Sequence, residues 1–305
     1  MTGISDRIPL QRIYESAFDE KKIQLFIKRE DMIHPVISGN KWRKLKYNLV
    51  EAKKKGFKKL LTFGGAYSNH ILSVAGAGKE YGFETIGIIR GEESLPLNPT
   101  LKTSSQKFGM QLHYVSRSKY KDKNDSSFIE SLRAQFGDFY LLPEGGTNVL
   151  AIKGCIEIVE DIDMDFDYIC SSCGTGGTLS GIIIGLKGSK KALGFSALKG
   201  DFLEKDISQF IHDYHGINYN NWSVNSDFHF GGYAKVKPEL ISFINDFKER
   251  HGIPLDPIYT GKMLFGIYDL VDKGYFENES KIIAIHTGGL QGIEGFNERY
   301  GGVIQ

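Results

Sequence analysis

What most limits the folds open to this chain is an alternation that runs through nearly all of it. Short apolar runs rich in β-branched and aromatic residues give way to longer amphipathic or small-residue stretches, with glycine at many changes of direction. The runs at 24–27, 59–63, 84–90, 111–115 and 139–142 predict strands, and the stretches at 44–55, 71–81 and 126–136 predict helices, the first two stopped by Gly56 and Gly82. Residues 91–100 predict a loop, followed by a helix up to Phe108; the charged stretch 117–125 predicts a mobile surface segment. Further on, helices are predicted over 151–162, 179–186, 202–214, 238–251 and 262–273, and strands over 168–170, 192–198 and 281–286. Strands joined through helices pair in parallel and are buried on both faces. The expected class is therefore α/β, with open, mostly parallel sheets covered by helices. Residues 44–146 predict a small α/β domain, inserted into a larger one formed by 1–43 and 147–305.

Composition narrows the function classes. With 25% charged residues, 41% hydrophobic residues and a formal net charge of +1, the chain offers no field that would attract nucleic acid or an anionic membrane. Its apolar runs, such as 282–285, are too short to cross a bilayer, and residues 1–10 lack the apolar core of a secretion signal. A cytoplasmic protein is expected. The three cysteines are too few for a disulfide framework; Cys170 and Cys173 have redox-motif spacing but no partner ligands, so no metal site is expected.

The centre of the chemistry is the stretch 27–47, IKREDMIHPVISGNKWRKLKY. Trp42, Leu45 and Leu49 have helical spacing, so Lys41 sits where the turn Ser38-Gly39-Asn40 becomes a basic helix. Neighbouring cations and a helix N-terminus disfavour a charged amine, and a lysine kept neutral can attack a carbonyl to form a Schiff base. A solvated surface lysine is the plainer reading of this segment taken alone.

Glycine loops supply the rest. Cys173-Gly174-Thr175-Gly176-Gly177-Thr178 follows a strand and opens a helix, an arrangement of amides and hydroxyls that suits one phosphate. A dinucleotide fits less well, because Leu179 replaces the third fingerprint glycine and the next strand ends without an acid for a ribose. No Gly-Lys-Ser/Thr follows for a Walker loop. Simple turn geometry also accounts for such a loop. Residues 64–70, GGAYSNH, place Ser68 and Asn69 between strand and helix, where they either cap the helix or hold a carboxylate or ring oxygen; His70 reads as structural. Residues 144–148 form a third loop at the expected domain crossing.

Six motifs, SGNKWRKL, GGAYSNH, GTGGT, GGY, DPIYTGK and HTGG, occur in an order that resembles the fold-type II pyridoxal-phosphate enzymes, and within them the D-cysteine desulfhydrase and aminocyclopropane-carboxylate deaminase family. The resemblance implies a two-domain fold like that of the tryptophan synthase β chain, with pyridoxal 5'-phosphate as cofactor. It implies that Lys41 holds the cofactor's aldehyde, Asn69 contacts its ring hydroxyl, and Gly174, Thr175, Gly176, Gly177 and Thr178 bind its phosphate with help from Lys44. Ser68 would face the substrate carboxylate, Tyr233 and Tyr259 would be the two active-site tyrosines, and Thr260 would partner the pyridine nitrogen. Thr287 also matches the desulfhydrase branch and would be a further cofactor-binding residue.

A threonine at 260 offers the ring only a neutral hydrogen bond, which suffices where an α-proton is removed and a leaving group departs from Cβ. β-Elimination from a small amino acid, D-cysteine first, is therefore expected, giving pyruvate, sulfide and ammonia. Deamination of aminocyclopropane-carboxylate is the alternative. A nucleotide-dependent oxidoreductase and a non-catalytic pyridoxal-phosphate-binding protein are the readings from other classes. Tyr67 and Leu72 depart from the desulfhydrase pattern of glutamine and arginine, which bears on carboxylate recognition. A homodimer is the expected assembly.

Overall fold

A computed structural model describes residues 8–93 and 96–305. The first half of the chain forms β1 (Leu10–Ile13), α1 (Ser16–Asp19), β2 (Gln24–Lys28), α2 (Asn40–Lys54), β3 (Lys59–Gly64), α3 (Asn69–Tyr81), β4 (Glu84–Arg90), α4 (Pro99–Lys102), β5 (Gln111–Val115), α5 (Ser126–Phe136) and β6 (Tyr140–Leu142). It continues as α6 (Val149–Glu160), β7 (Tyr168–Cys173), α7 (Gly177–Leu186), β8 (Lys191–Ser196), α8 (Phe202–His215), β9 (Trp222–Asn225), α9 (Pro238–His251), α10 (Thr260–Asp272), β10 (Lys281–Ile285) and α11 (Gly292–Tyr300).

The strands form two sheets, one ordered β1-β2-β10-β7-β8-β9 and one ordered β5-β4-β3-β6. All pairs are parallel except β1 with β2. Side chains alternate between faces along each strand, so both faces of each sheet need a cover. In β10, Ile282 and Ala284 join one hydrophobic cluster while Ile283 and Ile285 join another. The smaller sheet repeats this arrangement, with Leu60 on one side and Leu61 and Phe63 on the other. Its four strands fall within 44–146 and the other six outside it; we propose these ranges as the two domains, with the cut inside α2.

Several local expectations change. β1 and β9 were not predicted, because each has only four residues and the pattern of a short edge strand resembles a loop. β7 runs three residues beyond the expected end, and its Cys170 and Cys173 pack into cores on opposite faces of the sheet, which separates the two thiols. The helix expected to reach Phe108 is split into α4 and a π-helical turn, Thr103–Lys107. The 117–125 stretch was expected to be mobile, yet Tyr120 within it is buried against Phe63 and donates to Glu144 Oε1 at 2.8 Å.

α2 begins four residues earlier than expected, which places Lys41 in its first turn. Buried charges beneath the helix hold it there. Glu30, fully buried, accepts from Arg43 Nε at 2.9 Å and Nη2 at 3.0 Å and from Lys28 Nζ at 2.7 Å. Arg43 also reaches Glu157 and Asp161 on and just beyond α6, while Tyr47 donates to Glu157 at 2.6 Å. Removing one member of such a group strands the others without solvent. Glu30→Gln is expected to lower the unfolding free energy by about 3–5 kcal/mol, seen as a lower urea midpoint at little-changed slope.

Candidate active site

In an open parallel sheet, ligands bind beyond the carboxyl ends of the strands. Both sheets here direct those ends toward one cavity of about 570 Å³. β3 leads into Gly65 to Asn69, β7 into Gly174 to Thr178, and β10 into Thr287 to Gly289. α2 contributes Asn40, Lys41 and Lys44 to the same wall.

The turn before Lys41 is set by a close approach of backbones. Gly39 has φ 65°, and a Cβ there would overlap the Thr287 carbonyl oxygen, so the position requires glycine sterically as well as conformationally. Asn40 N donates to that oxygen at 3.3 Å, and Asn40 Nδ2 donates to Thr178 Oγ1 at 2.8 Å. The lysine turn, the Thr287 loop and the glycine loop are thereby held together.

Burial and the nearby Lys44 ammonium lower the Lys41 pKa from its ordinary value to about 7. At neutral pH, a substantial fraction of its amine is free to react. Lys44 is buried as well, and burial lowers its pKa. Its Nζ donates to Gly145 O and Thr147 Oγ1, each at 3.0 Å, and to Thr175 Oγ1 at 3.4 Å. Lys44 thus couples the 144–148 loop to the glycine loop.

α7 starts after Gly176, which has φ 79°, and no side chain caps its first turn. Its amides, with Thr175 and Thr178 beside them and Lys44 behind, form a cradle suited to a dianion. A reactive amine at one end of the cavity and this cradle at the other fit an aldehyde that carries a phosphate. Ser68 turns out to be both a helix cap and a wall residue: its Oγ accepts from Ile71 N at 3.3 Å, which leaves its own proton available to a ligand. Asn69 lines the cavity, and a Cβ at Gly289 would lie 2.8 Å from its Nδ2.

Tyr233 and Tyr259 meet edge to face with ring centroids 6.3 Å apart. Burial raises the pKa of both, and that of Tyr259 is raised further by its phenol neighbour, so both remain protonated at neutral pH. The loop carrying Tyr233 is tethered by Lys262, whose Nζ donates to His229 O at 2.8 Å and Gly232 O at 2.9 Å; burial lowers the Lys262 pKa to about 8.

Thr260 lies off the wall. It is fully buried, and its hydroxyl donates to Asp256 Oδ1 at 2.7 Å. Asp256 also accepts from the backbone nitrogens of Ile258, Tyr259 and Thr260, each at 2.9 Å, so its carboxylate is committed to shaping this turn. On β7 itself and just after β10, the hydroxyls of Ser172 and Thr287 line the cavity, 3.2 Å apart. Sequence reasoning missed Ser172, Arg90, Arg117 and Arg299, all of which line the cavity. The positions of Arg90 and Arg117 at or just past strand C-termini could have indicated the first pair.

The family model described as "Pyridoxal-phosphate dependent enzyme" matches residues 5–288. The chain belongs to this family. Its cofactor is therefore pyridoxal phosphate, which agrees with the amine and anion cradle above. A Pyrococcus horikoshii protein named "Putative 1-aminocyclopropane-1-carboxylate deaminase" is 31% identical over 292 residues, covering 90% of this chain and 87% of the relative. An Arabidopsis thaliana protein named as a bifunctional D-cysteine desulfhydrase and 1-aminocyclopropane-1-carboxylate deaminase is 30% identical, covering 88% of this chain and 73% of the relative. A crystal structure described as an ACC deaminase homologue superposes with a TM-score of 0.84 at 28% identity, covering 99% of this chain and 95% of that one. The enzyme therefore falls within the deaminase and desulfhydrase relatives of a two-domain pyridoxal-phosphate fold.

We propose that Lys41 is the amine that condenses with the cofactor's aldehyde, a reaction open only to its neutral form. The rate at which apoprotein takes up pyridoxal phosphate should rise with pH to half its plateau near pH 7, followed by absorbance of the lysine adduct, instead of continuing to climb toward pH 10. Lys44→Gln should shift that midpoint upward, because the second cation that disfavours a charged Lys41 is gone.

Proposed function

We propose that this enzyme catalyses β-elimination and deamination of a small amino acid, with D-cysteine as the first candidate and pyruvate, sulfide and ammonia as products. The observation that carries the reading is the chemistry of the wall. Neutral hydroxyls of Ser172 and Thr287 lie on the β7 and β10 side, while the nearby carboxylate, Asp256, is held by its own turn. Among the described residues, Glu144 alone supplies an acid to the cavity lining, and it accepts from Tyr120 and pairs with Lys123. A site of neutral hydroxyls suits removal of an α-proton better than opening of a ring that has none.

In this reading the cofactor, when bound, supplies the electron sink that makes an amino acid's α-proton acidic. Lys41 and the cradle of Gly174, Thr175, Gly176, Gly177 and Thr178 hold the cofactor, Lys44 steadies the cradle, and Asn69 and Thr287 contact its ring. Thr260 supports the ring side through Asp256 and the turn that positions Tyr259. The Ser68 hydroxyl and the first amides of α3 hold the substrate carboxylate. Lys41 as a free amine accepts the α-proton, and the protonated phenols of Tyr259 and Tyr233 donate to the departing thiolate. The working form is proposed to be a cytoplasmic homodimer.

Purified holoenzyme incubated with D-cysteine should release sulfide and pyruvate in equal amounts. Tyr259→Phe is expected to lower kcat for cysteine by about 10²–10⁴-fold, with a smaller loss for β-chloroalanine, whose chloride leaves without a proton. The reading falls if no β-substituted amino acid of either hand is turned over. A second reading is favoured by the names of the two relatives: aminocyclopropane-carboxylate deamination, recognised in the same assay by 2-oxobutanoate and ammonia in place of sulfide and pyruvate.

A further inference from the structure

The mouth of the cavity carries charge that a substrate as small as cysteine leaves unused. Arg90 ends β4, Arg117 lies two residues beyond β5, and Arg299 lies on α11; all three line the cavity and are exposed. None forms an ion pair with a carboxylate among the described residues. Arg90 is positioned rather than loose. Its guanidinium lies 5.7 Å from the centre of the Tyr120 ring, and a Cβ added at Gly65 would stand 3.5 Å from its Nη2, so it lies against the loop that presents Ser68. Arg299 sits 5.3 Å from the ring centre of Tyr300, itself a wall residue.

The acids nearby are engaged by other groups or line the adjoining cavity. Glu144 is engaged by Tyr120 and by Lys123 at 3.4 Å. Glu92, Glu294 and Glu298 line a neighbouring cavity that shares only Ala66, Tyr67 and Arg90 with this one. The cofactor phosphate and the substrate's α-carboxylate each have partners elsewhere, at the amides of α7 with Lys44 and at the start of α3. Three guanidinium groups from both halves of the molecule are left facing the same opening. Arginine forks match phosphate, sulfonate and carboxylate oxygens.

Resting on the elimination reading above, we propose that the preferred substrate is an amino acid whose β-substituent carries its own negative charge and departs with it. In that reaction the α-proton passes to Lys41 and the Cβ–O or Cβ–S bond breaks with its electron pair going to the leaving group. Water then hydrolyses the released enamine after it becomes an imine. For O-phosphoserine the balance is one amino acid and one water to one pyruvate, one ammonia and one phosphate. For S-sulfocysteine, thiosulfate takes the place of phosphate. D-cysteine is then a minimal substrate rather than the preferred one.

The test uses the holoenzyme with O-phosphoserine, S-sulfocysteine, cysteine and β-chloroalanine, each as both enantiomers. The wild-type protein should show higher kcat/KM for a charged compound than for the neutral ones of the same hand. Each of Arg90→Gln, Arg117→Gln and Arg299→Gln should reduce that charged-to-neutral ratio, by about tenfold where the contact is direct, chiefly through KM, and added salt should reduce it too. Turnover of the neutral compounds without a preference for charge, or equal losses for both kinds in the variants, overturns the proposal and leaves the elimination reading in place. If none of the compounds is turned over, the elimination reading fails and this proposal fails with it.

Discussion

The structure depends on one constraint of parallel pairing: strands that run the same way open their loops at the same edge. Nine of the ten described strands lie in parallel register with a neighbour, and the exception, β1, pairs only at the margin with β2. Loops far apart in sequence, from Ser68 to Thr287, therefore converge on one cavity. Each loop contributes little alone. Together they provide amides, hydroxyls, phenols and a lysine in a shared space.

Placing Lys41 in that space requires a helix whose first turn is held from below. The Glu30 carboxylate between Arg43 and Lys28, with Glu157 and Asp161 on the α6 side, ties α2 to both β2 and α6. Gly39 then allows the preceding turn to press against the Thr287 backbone. The same burial that fixes the helix lowers the proton affinity of Lys41, so packing and reactivity have a common physical source. A lysine at this position on an exposed helix would remain charged.

Of the two reactions that the relatives' names carry, the wall chemistry supports the elimination proposed above. Asp256 is the nearest carboxylate to the tyrosine turn, yet its oxygens are bonded to the backbone nitrogens of 258–260 and to the Thr260 hydroxyl. It organises Tyr259 instead of adding charge to the cavity. Lys262 does the equivalent for the loop of Tyr233, through two carbonyl oxygens. Two protonated phenols are held side by side by residues from one short motif.

The sequence by itself determined the alternation of strand and helix, the glycine loops at strand ends, and the family motifs that single out Lys41, Ser68, Asn69 and the 174–178 loop. Those features are local: periodicity, turn residues and short-range spacing carry them. Only the tertiary structure decided that Thr260 faces Asp256 while Ser172 reaches the cavity beside Thr287, and that Tyr120 is a buried anchor within a charged stretch. It also decided that Cys170 and Cys173 lie on opposite faces of β7 and that Arg90, Arg117 and Arg299 meet at one mouth. Which way a side chain points, and what stands across from it, depends on contacts between residues tens to hundreds of positions apart, and no local pattern records them.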